Sequence, residues 1–182
     1  MDNIEFRKIT KDNLEIACHV QNEIFPEEDA RANFIEQINN DPYRKELDYY
    51  IVYDGDIPVG VTGIYSYNEY PTTAWLGWFG ILKEYRNKGL GEATLDKTIA
   101  LAKEKGYKTF RIYTDEYAKE AHKLYEKKGM IKELYDRSDD KDEYFIADIY
   151  IYSLSLTNKK IEQWNNKFLG LKEQGEKEQL YK

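Results

Sequence analysis

Between Trp78 and Gly91 an apolar, strand-like stretch passes into a basic, glycine-bearing turn and then into a helical pattern. The apolar run ends at Leu82. Beyond Gly91, residues Leu95, Ile99 and Ala102 share one helical stripe, with Thr94, Thr98 and Leu101 beside it, which sets the turn at a helix N-terminus. There the first backbone N–H groups lack partners within the helix and the macrodipole adds partial positive charge, so a phosphate can be held by backbone alone. Gly89 and Gly91 permit its close approach, and Lys83, Arg86 and Lys88 add charge. A short glycine pattern is weak evidence taken singly, because an ordinary strand-to-helix turn has the same composition.

The spacing says more. Arg86-x-x-Gly89-x-Gly91, placed after a strand and opening an amphipathic helix, resembles the coenzyme A pyrophosphate turn of the GNAT superfamily of N-acetyltransferases. The resemblance implies that Ile81, Leu82, Lys83, Arg86, Asn87, Lys88, Gly89, Leu90 and Gly91 bind acetyl-CoA as co-substrate. Lys83 stands where many members carry proline. A second block, Ala121-His122-Lys123-Leu124-Tyr125-Glu126-Lys127-Lys128-Gly129-Met130, is similar to the Ala-x-x-Leu-Tyr-Glu-Lys-x-Gly-Phe ending of the same family. By that resemblance Tyr125 is the catalytic residue that protonates the departing thiolate. The family commonly has an asparagine three positions before the alanine; here that position is Ala118.

Composition bounds the alternatives. A chain of 182 residues suffices for one domain with a substantial core, and 41% hydrophobic with 34% charged residues is globular. No apolar run is long enough to span a bilayer, and the start of the chain has neither a basic nor an apolar leader segment, so the expected compartment is the cytoplasm. A net charge of −7 argues against nucleic acid and anionic membrane as partners, and favours a cationic acceptor. Cys18 is the only cysteine, which excludes an intrachain disulfide, and no metal site is expected. The P-loop spacing Gly-x-x-x-x-Gly-Lys-Ser/Thr and the serine-hydrolase spacing Gly-x-Ser-x-Gly are both lacking.

In chain order, Ile4–Ile9 predicts a strand, and a helix from Asp12 with Leu14, Ala17, Cys18 and Ile24 on one face ends at Pro26, with Thr10 as a possible cap. Cys18 reads as core, and adjacent helical residues such as Cys18 and His19 point about 100° apart. A second helix is expected from Glu27 to Ile38, with Glu27, Glu28 and Asp29 either an acidic first turn or, as the GNAT resemblance implies for the segment between the first two helices, carboxylates bordering an acceptor site. Leu47–Val52 and Pro58–Tyr67 predict a hairpin about Asp54-Gly55-Asp56. Thr73–Leu82 predicts one strand, in which Gly77 and Gly80 suit a bulge. A strand over Thr109–Thr114, a helix over Asp115–Lys128 with Tyr117, Ala121, Leu124 and Tyr125 on one side, and closing strands at Ile131–Tyr135 and Tyr144–Leu156 about the acidic segment 136–142 complete the pattern. Ile161, Trp164, Phe168 and Leu171 share a helical stripe that would dock on the domain or on a second subunit.

The element order implies an α+β sheet with helices on its faces, and the GNAT resemblance implies that this sheet is mixed but mostly antiparallel and splayed, with a domain over 1–156 and a helical extension over 157–182. The implied activity is acetyl transfer from acetyl-CoA to a primary amine of a small molecule or peptide by direct attack in a ternary complex. A non-catalytic acyl-CoA-binding module is the alternative. No carboxylate lies between Trp75 and Leu82, so Glu23, Glu27, Glu28, Tyr65 or water remain open as base. Dimers are common in the family, and a homodimer is a possible assembly.

Overall fold

The structure, a computed structural model, describes residues 3–42, 44–135 and 147–164, and the chain divides into two compact units, Met1–Lys108 and Thr109–Lys182. Among the described residues, eight strands and four α-helices make up the predicted α+β architecture.

The first unit contains β1 (Ile4–Lys8), α1 (Leu14–Ile24), α2 (Ala30–Ile38), β2 (Arg44–Asp54), β3 (Ile57–Tyr67), β4 (Thr73–Leu76), β5 (Gly80–Ile81) and α3 (Leu90–Glu104). Strands β1, β2 and β3 form an antiparallel ladder, and β3 then pairs with β4 and, further along, with β5. Alternation along β2 sorts its aromatic and β-branched residues to two faces. Tyr49, Ile51 and Tyr53 pack with Leu14, Ala17 and Cys18 of α1 and Ala30 and Phe34 of α2. On the other face Val52 packs with Val59, Ile81 and Leu90, the first residue of α3. The Thr62 and Thr98 hydroxyls, 2.8 Å apart, fix α3 to β3. Gln37 is buried and spends its amide as a splint: Nε2 donates to the Ile9 carbonyl at 2.6 Å, and Oε1 accepts from the Tyr49 N–H.

Several boundaries differ from the expectation for local chemical reasons. Helix α1 begins at Leu14 with Asn13 at the N-cap, and Thr10 does not cap it; its hydroxyl accepts from the Asp12 N–H instead. Helix α2 begins at Ala30, because the Asp29 carboxylate caps it by accepting from the Ala32 N–H at 3.0 Å. Glu27 and Glu28 therefore precede the helix rather than forming its first turn. The hairpin turn is Gly55-Asp56, with Gly55 at φ +60.

The single strand expected over Thr73–Leu82 is broken in two. Trp75 and Leu76 pair with Tyr65 and Ile64, whereas Gly80 and Ile81 pair with Val61 and Gly60, so the three residues 77–79 face only Thr62 and Gly63. That surplus residue is a bulge.

The second unit contains β6 (Thr109–Asp115), α4 (Lys119–Lys127), β7 (Ile131–Leu134) and β8 (Ile149–Ser155), with β8 antiparallel to both β6 and β7. Helix α4 starts four residues later than predicted because the Asp115 carboxylate accepts from the Tyr117 and Ala118 N–H groups, at 2.8 and 3.2 Å, and holds them in a turn. Tyr117 is consequently exposed; His122 and Tyr125 form the buried face. Residues 161–164 are not helical. Trp164 is buried on its own chain, its N–H donating to Glu133 at 3.1 Å and its ring 5.4 Å from the Arg111 guanidinium. Trp164 thus docks in cis. The acidic segment 136–142, residues 144–146 of the last strand, and Phe168 and Leu171 lie outside the described residues.

Candidate active site

The basic turn has the geometry its sequence predicts. After β5, a single 3₁₀ turn (Lys83–Tyr85) leads into Arg86, Asn87, Lys88 and Gly89, all exposed, and then into α3. Asn87 at φ +61 and Gly89 at φ +78 are left-handed, so the chain doubles back and points its amides outward. The first bond within α3 runs from the Ala93 N–H to the Gly89 carbonyl at 3.0 Å, which leaves the Leu90 and Gly91 N–H groups facing out of the helix end. A Cβ on Gly91 would meet only Ile81 Cγ1, at 3.9 Å, so the space before these donors is open. Arg86 is held in place through Nε, which donates to the Ile81 carbonyl at 2.8 Å, leaving its terminal nitrogens for an anion. The Lys88 ammonium sits 5.3 Å from the centre of the Tyr85 ring. Ile81 and Leu90 are buried and contribute backbone rather than side chains. The residues present fit a pyrophosphate.

One strand away, the bulge supplies a second set of donors. The Gly77 N–H reaches the Gly63 carbonyl at 2.8 Å, but the Trp78 and Phe79 N–H groups have no partner among the described residues. Glycine is required here by close packing. A Cβ on Gly77 would lie 2.7 Å from Tyr49 Cε1, and one on Gly63 would lie 2.4 Å from Tyr49 Cδ1. Phe25, at the end of α1, packs its ring 5.1 Å from that of Trp78.

Next to Phe25, an open cleft of about 790 Å³ is lined by residues of α1 and of the segment into α2, including Glu15, Cys18, His19, Glu27, Glu28 and Asp29. Arg31 is neutralised at the rim by Glu15, 2.7 Å away, whereas the side-chain carboxylates of Glu27 and Glu28 have no ion-pair or hydrogen-bond partner among the described residues. Cys18 and His19, expected to diverge, both reach this one cleft. Burial pushes the Cys18 thiol pKa up, so the group stays a thiol and packs as core.

In the second unit Tyr125 is 4% exposed, and burial raises its pKa above the ordinary tyrosine value. Its hydroxyl has no hydrogen-bond partner among the described residues. It is a phenol held protonated, with its proton uncommitted.

The sequence profile of the acetyltransferase (GNAT) family matches residues 14–130, well over half the chain. The chain belongs to this family. No curated protein matches the sequence significantly, but solved structures share its fold. A GNAT-family protein from Desulfovibrio desulfuricans aligns with a TM-score of 0.69 at 18% identity, covering 85% of this chain and 99% of its own. A GNAT acetyltransferase from Elizabethkingia anophelis with acetyl-CoA bound gives 0.65 at 18%, covering 85% and 99%. Spermidine N-acetyltransferase from Vibrio cholerae, in complex with CoA and spermine, gives 0.67 at 14%, covering 86% and 97%.

Of the residues predicted for the GNAT cofactor site, Ile81 ends β5, Leu82 and Lys83 enter the 3₁₀ turn, Arg86, Asn87, Lys88 and Gly89 form the exposed turn, and Leu90 and Gly91 open α3. Among the candidate bases, Glu27 and Glu28 line the cleft, while Glu23 lies exposed on α1 outside its lining. Tyr65 stacks on Trp75, ring centres 6.4 Å apart, and takes part in the core. Sequence reasoning missed the Trp78 and Phe79 donors as individual groups, although Gly77 signalled a bulge. It also missed Glu15 and His19 as cleft residues, because only packing of α1 against the segment into α2 assembles them. No group of three His, Cys, Asp or Glu side chains among the described residues could hold a metal ion.

Proposed function

We propose that this acetyltransferase, acting in the cytoplasm, transfers the acetyl group of acetyl-CoA to a primary amine carried by a cationic small molecule or peptide, by direct attack in a ternary complex. The observation that carries this reading is the bulge after β4, with two free backbone N–H groups one strand from an anion-ready helix terminus. The turn 86–91 would hold the pyrophosphate. The amine loses a proton to Glu27, Glu28 or water and attacks the thioester carbonyl, forming the C–N bond. The Trp78 and Phe79 N–H groups donate to the oxyanion that develops, where fixed donors act most strongly on catalysis. As the C–S bond breaks, the thiolate takes the phenolic proton of Tyr125, which its raised pKa keeps available.

The acceptor class rests on the charge of the cleft. Glu27 and Glu28 are carboxylates without a side-chain partner in an open space between α1 and the start of α2, and together with Asp29 they favour a positively charged molecule. The Vibrio cholerae relative, solved with spermine, acts on an acceptor of that kind.

The test is acetyl-CoA-dependent thiol release over a panel of amines, wild type against Tyr125→Phe. Turnover of a cationic amine, with kcat lowered about tenfold or more in the variant, is the expected result for loss of a general acid. Binding of acetyl-CoA without turnover of any amine would favour the binding-module alternative, to which Ala118 in place of the usual asparagine also points.

A further inference from the structure

Helix α4 presents His122 and Tyr125, one turn apart, to the face of β8 that carries Tyr150 and Tyr152. Tyr152 is fully buried at 0% exposure, and its backbone is fixed on both sides, opposite Ile112 in β6 and Lys132 in β7. Its ring meets that of Tyr125 edge-on, with centres 5.2 Å apart and planes at 61°, and lies 5.4 Å from the His122 ring. Its hydroxyl donates to Glu126 Oε1 at 3.1 Å. That acceptor belongs to the residue directly after Tyr125. Glu126 is otherwise exposed, so this bond orders a long side chain that would gain by staying free in water. The Tyr125 carbonyl is also committed, accepting from the Lys128 and Met130 N–H groups at 3.1 and 3.2 Å, so the helix end is closed around this residue. What remains to be set is the direction of the Tyr125 ring, which the Tyr152 ring at 5.2 Å limits more closely than the His122 ring at 6.4 Å.

We propose that Tyr152 is a positioning residue for acetyl transfer: its ring stops that of Tyr125, and its hydroxyl, tied to Glu126, locks the last turn of α4 so that the Tyr125 hydroxyl is aimed. This rests on the reading of Tyr125 as the general acid. A proton donor must be held to a fraction of an ångström, and a misplacement of about 1 Å can cost on the order of a hundredfold in rate. Burial and the adjacent Glu126 both keep Tyr152 neutral and hence a donor.

Tyr152→Phe keeps the ring contact and removes only the tie. The expected result is a kcat lowered about three- to tenfold, with KM for acetyl-CoA unchanged. Glu126→Ala should match it, whereas Glu126→Gln, whose amide oxygen still accepts, should restore kcat to near wild type. Combined with Tyr125→Phe, the Tyr152→Phe change should cost nothing further, because contacts that act through one residue are not additive. A Tyr152→Phe protein with a lowered Tm but wild-type kcat would overturn the proposal, as would an undiminished effect in the Tyr125→Phe background. If Tyr125→Phe alone leaves kcat unchanged, the general-acid reading falls and this proposal with it. A strong Tyr125→Phe effect with an additive Tyr152→Phe effect removes this proposal alone.

Discussion

Gly89 and Gly91 are two residues apart and serve different ends. Gly89 is needed by the backbone, at φ +78, where a Cβ costs roughly 1 kcal/mol or more. Gly91 is in α3 with ordinary helical geometry and open space before it, so the protein alone does not require glycine there. Their variants should therefore separate folding from binding. Gly91→Val is expected to leave Tm within about 2 °C of wild type, since helix propensities of ordinary residues differ by only tenths of a kcal/mol. It should raise KM for acetyl-CoA severalfold by filling the approach to the N–H groups. Thermal melts and acetyl-CoA saturation curves check both halves. This turn was legible in the sequence because its chemistry is local: spacing, glycine and charge suffice. The Arg86 Nε bond to the Ile81 carbonyl was not, since side-chain direction depends on how the turn closes.

At the scale of elements, the strands and helices were predicted where one periodicity held and missed where side chains altered it. Asp115 and Asp29 each bond to backbone N–H groups and delay a helix, and a single surplus residue at 77–79 divides one strand into two. Residues 161–164 match a helical stripe, yet a strap anchored at Trp164 has the same spacing, and the Arg111 and Glu133 contacts decide between them. Elements are also joined by charge. Asp48 in β2 accepts from Lys8 of β1 at 2.7 Å and lies 3.4 Å from Lys105, just past α3, which also pairs with Glu46. Burial acts to raise the Asp48 pKa, but the Lys8 bond and the surrounding cations hold it below the ordinary aspartate value. A carboxyl whose pKa is lowered by folding stabilises the protein above its unfolded pKa, near 4, and that contribution is lost as pH falls through the folded value. Asp48→Asn should therefore cost about 0.5–1 kcal/mol at pH 7, after allowing for solvent screening, and little at pH 3. Urea midpoints at the two pH values measure the difference.

For the whole molecule, the family was legible because two short motifs about thirty residues apart agree with each other and with the order of elements. The cleft between α1 and α2 was legible only as composition: Glu27 and Glu28 stood out as acidic, but Glu15 and His19 join them through tertiary packing alone. An overall charge of −7 concentrates its local effect where carboxylates are unpaired. A cleft of this kind attracts cations through a field that salt screens, with a screening length of about 30 Å at 0.01 M and about 3 Å at 1 M ionic strength. The most direct measurement compares kcat/KM for acetyl-CoA-dependent acetylation of a linear diamine with that of a monoamine of equal length and a neutral end, at both ionic strengths. The predicted result is a preference for the diamine of about tenfold or more at low salt, lost at high salt and in Glu27→Gln/Glu28→Gln. Equal rates for the two amines at low salt, or a preference that salt and both substitutions leave intact, would contradict it.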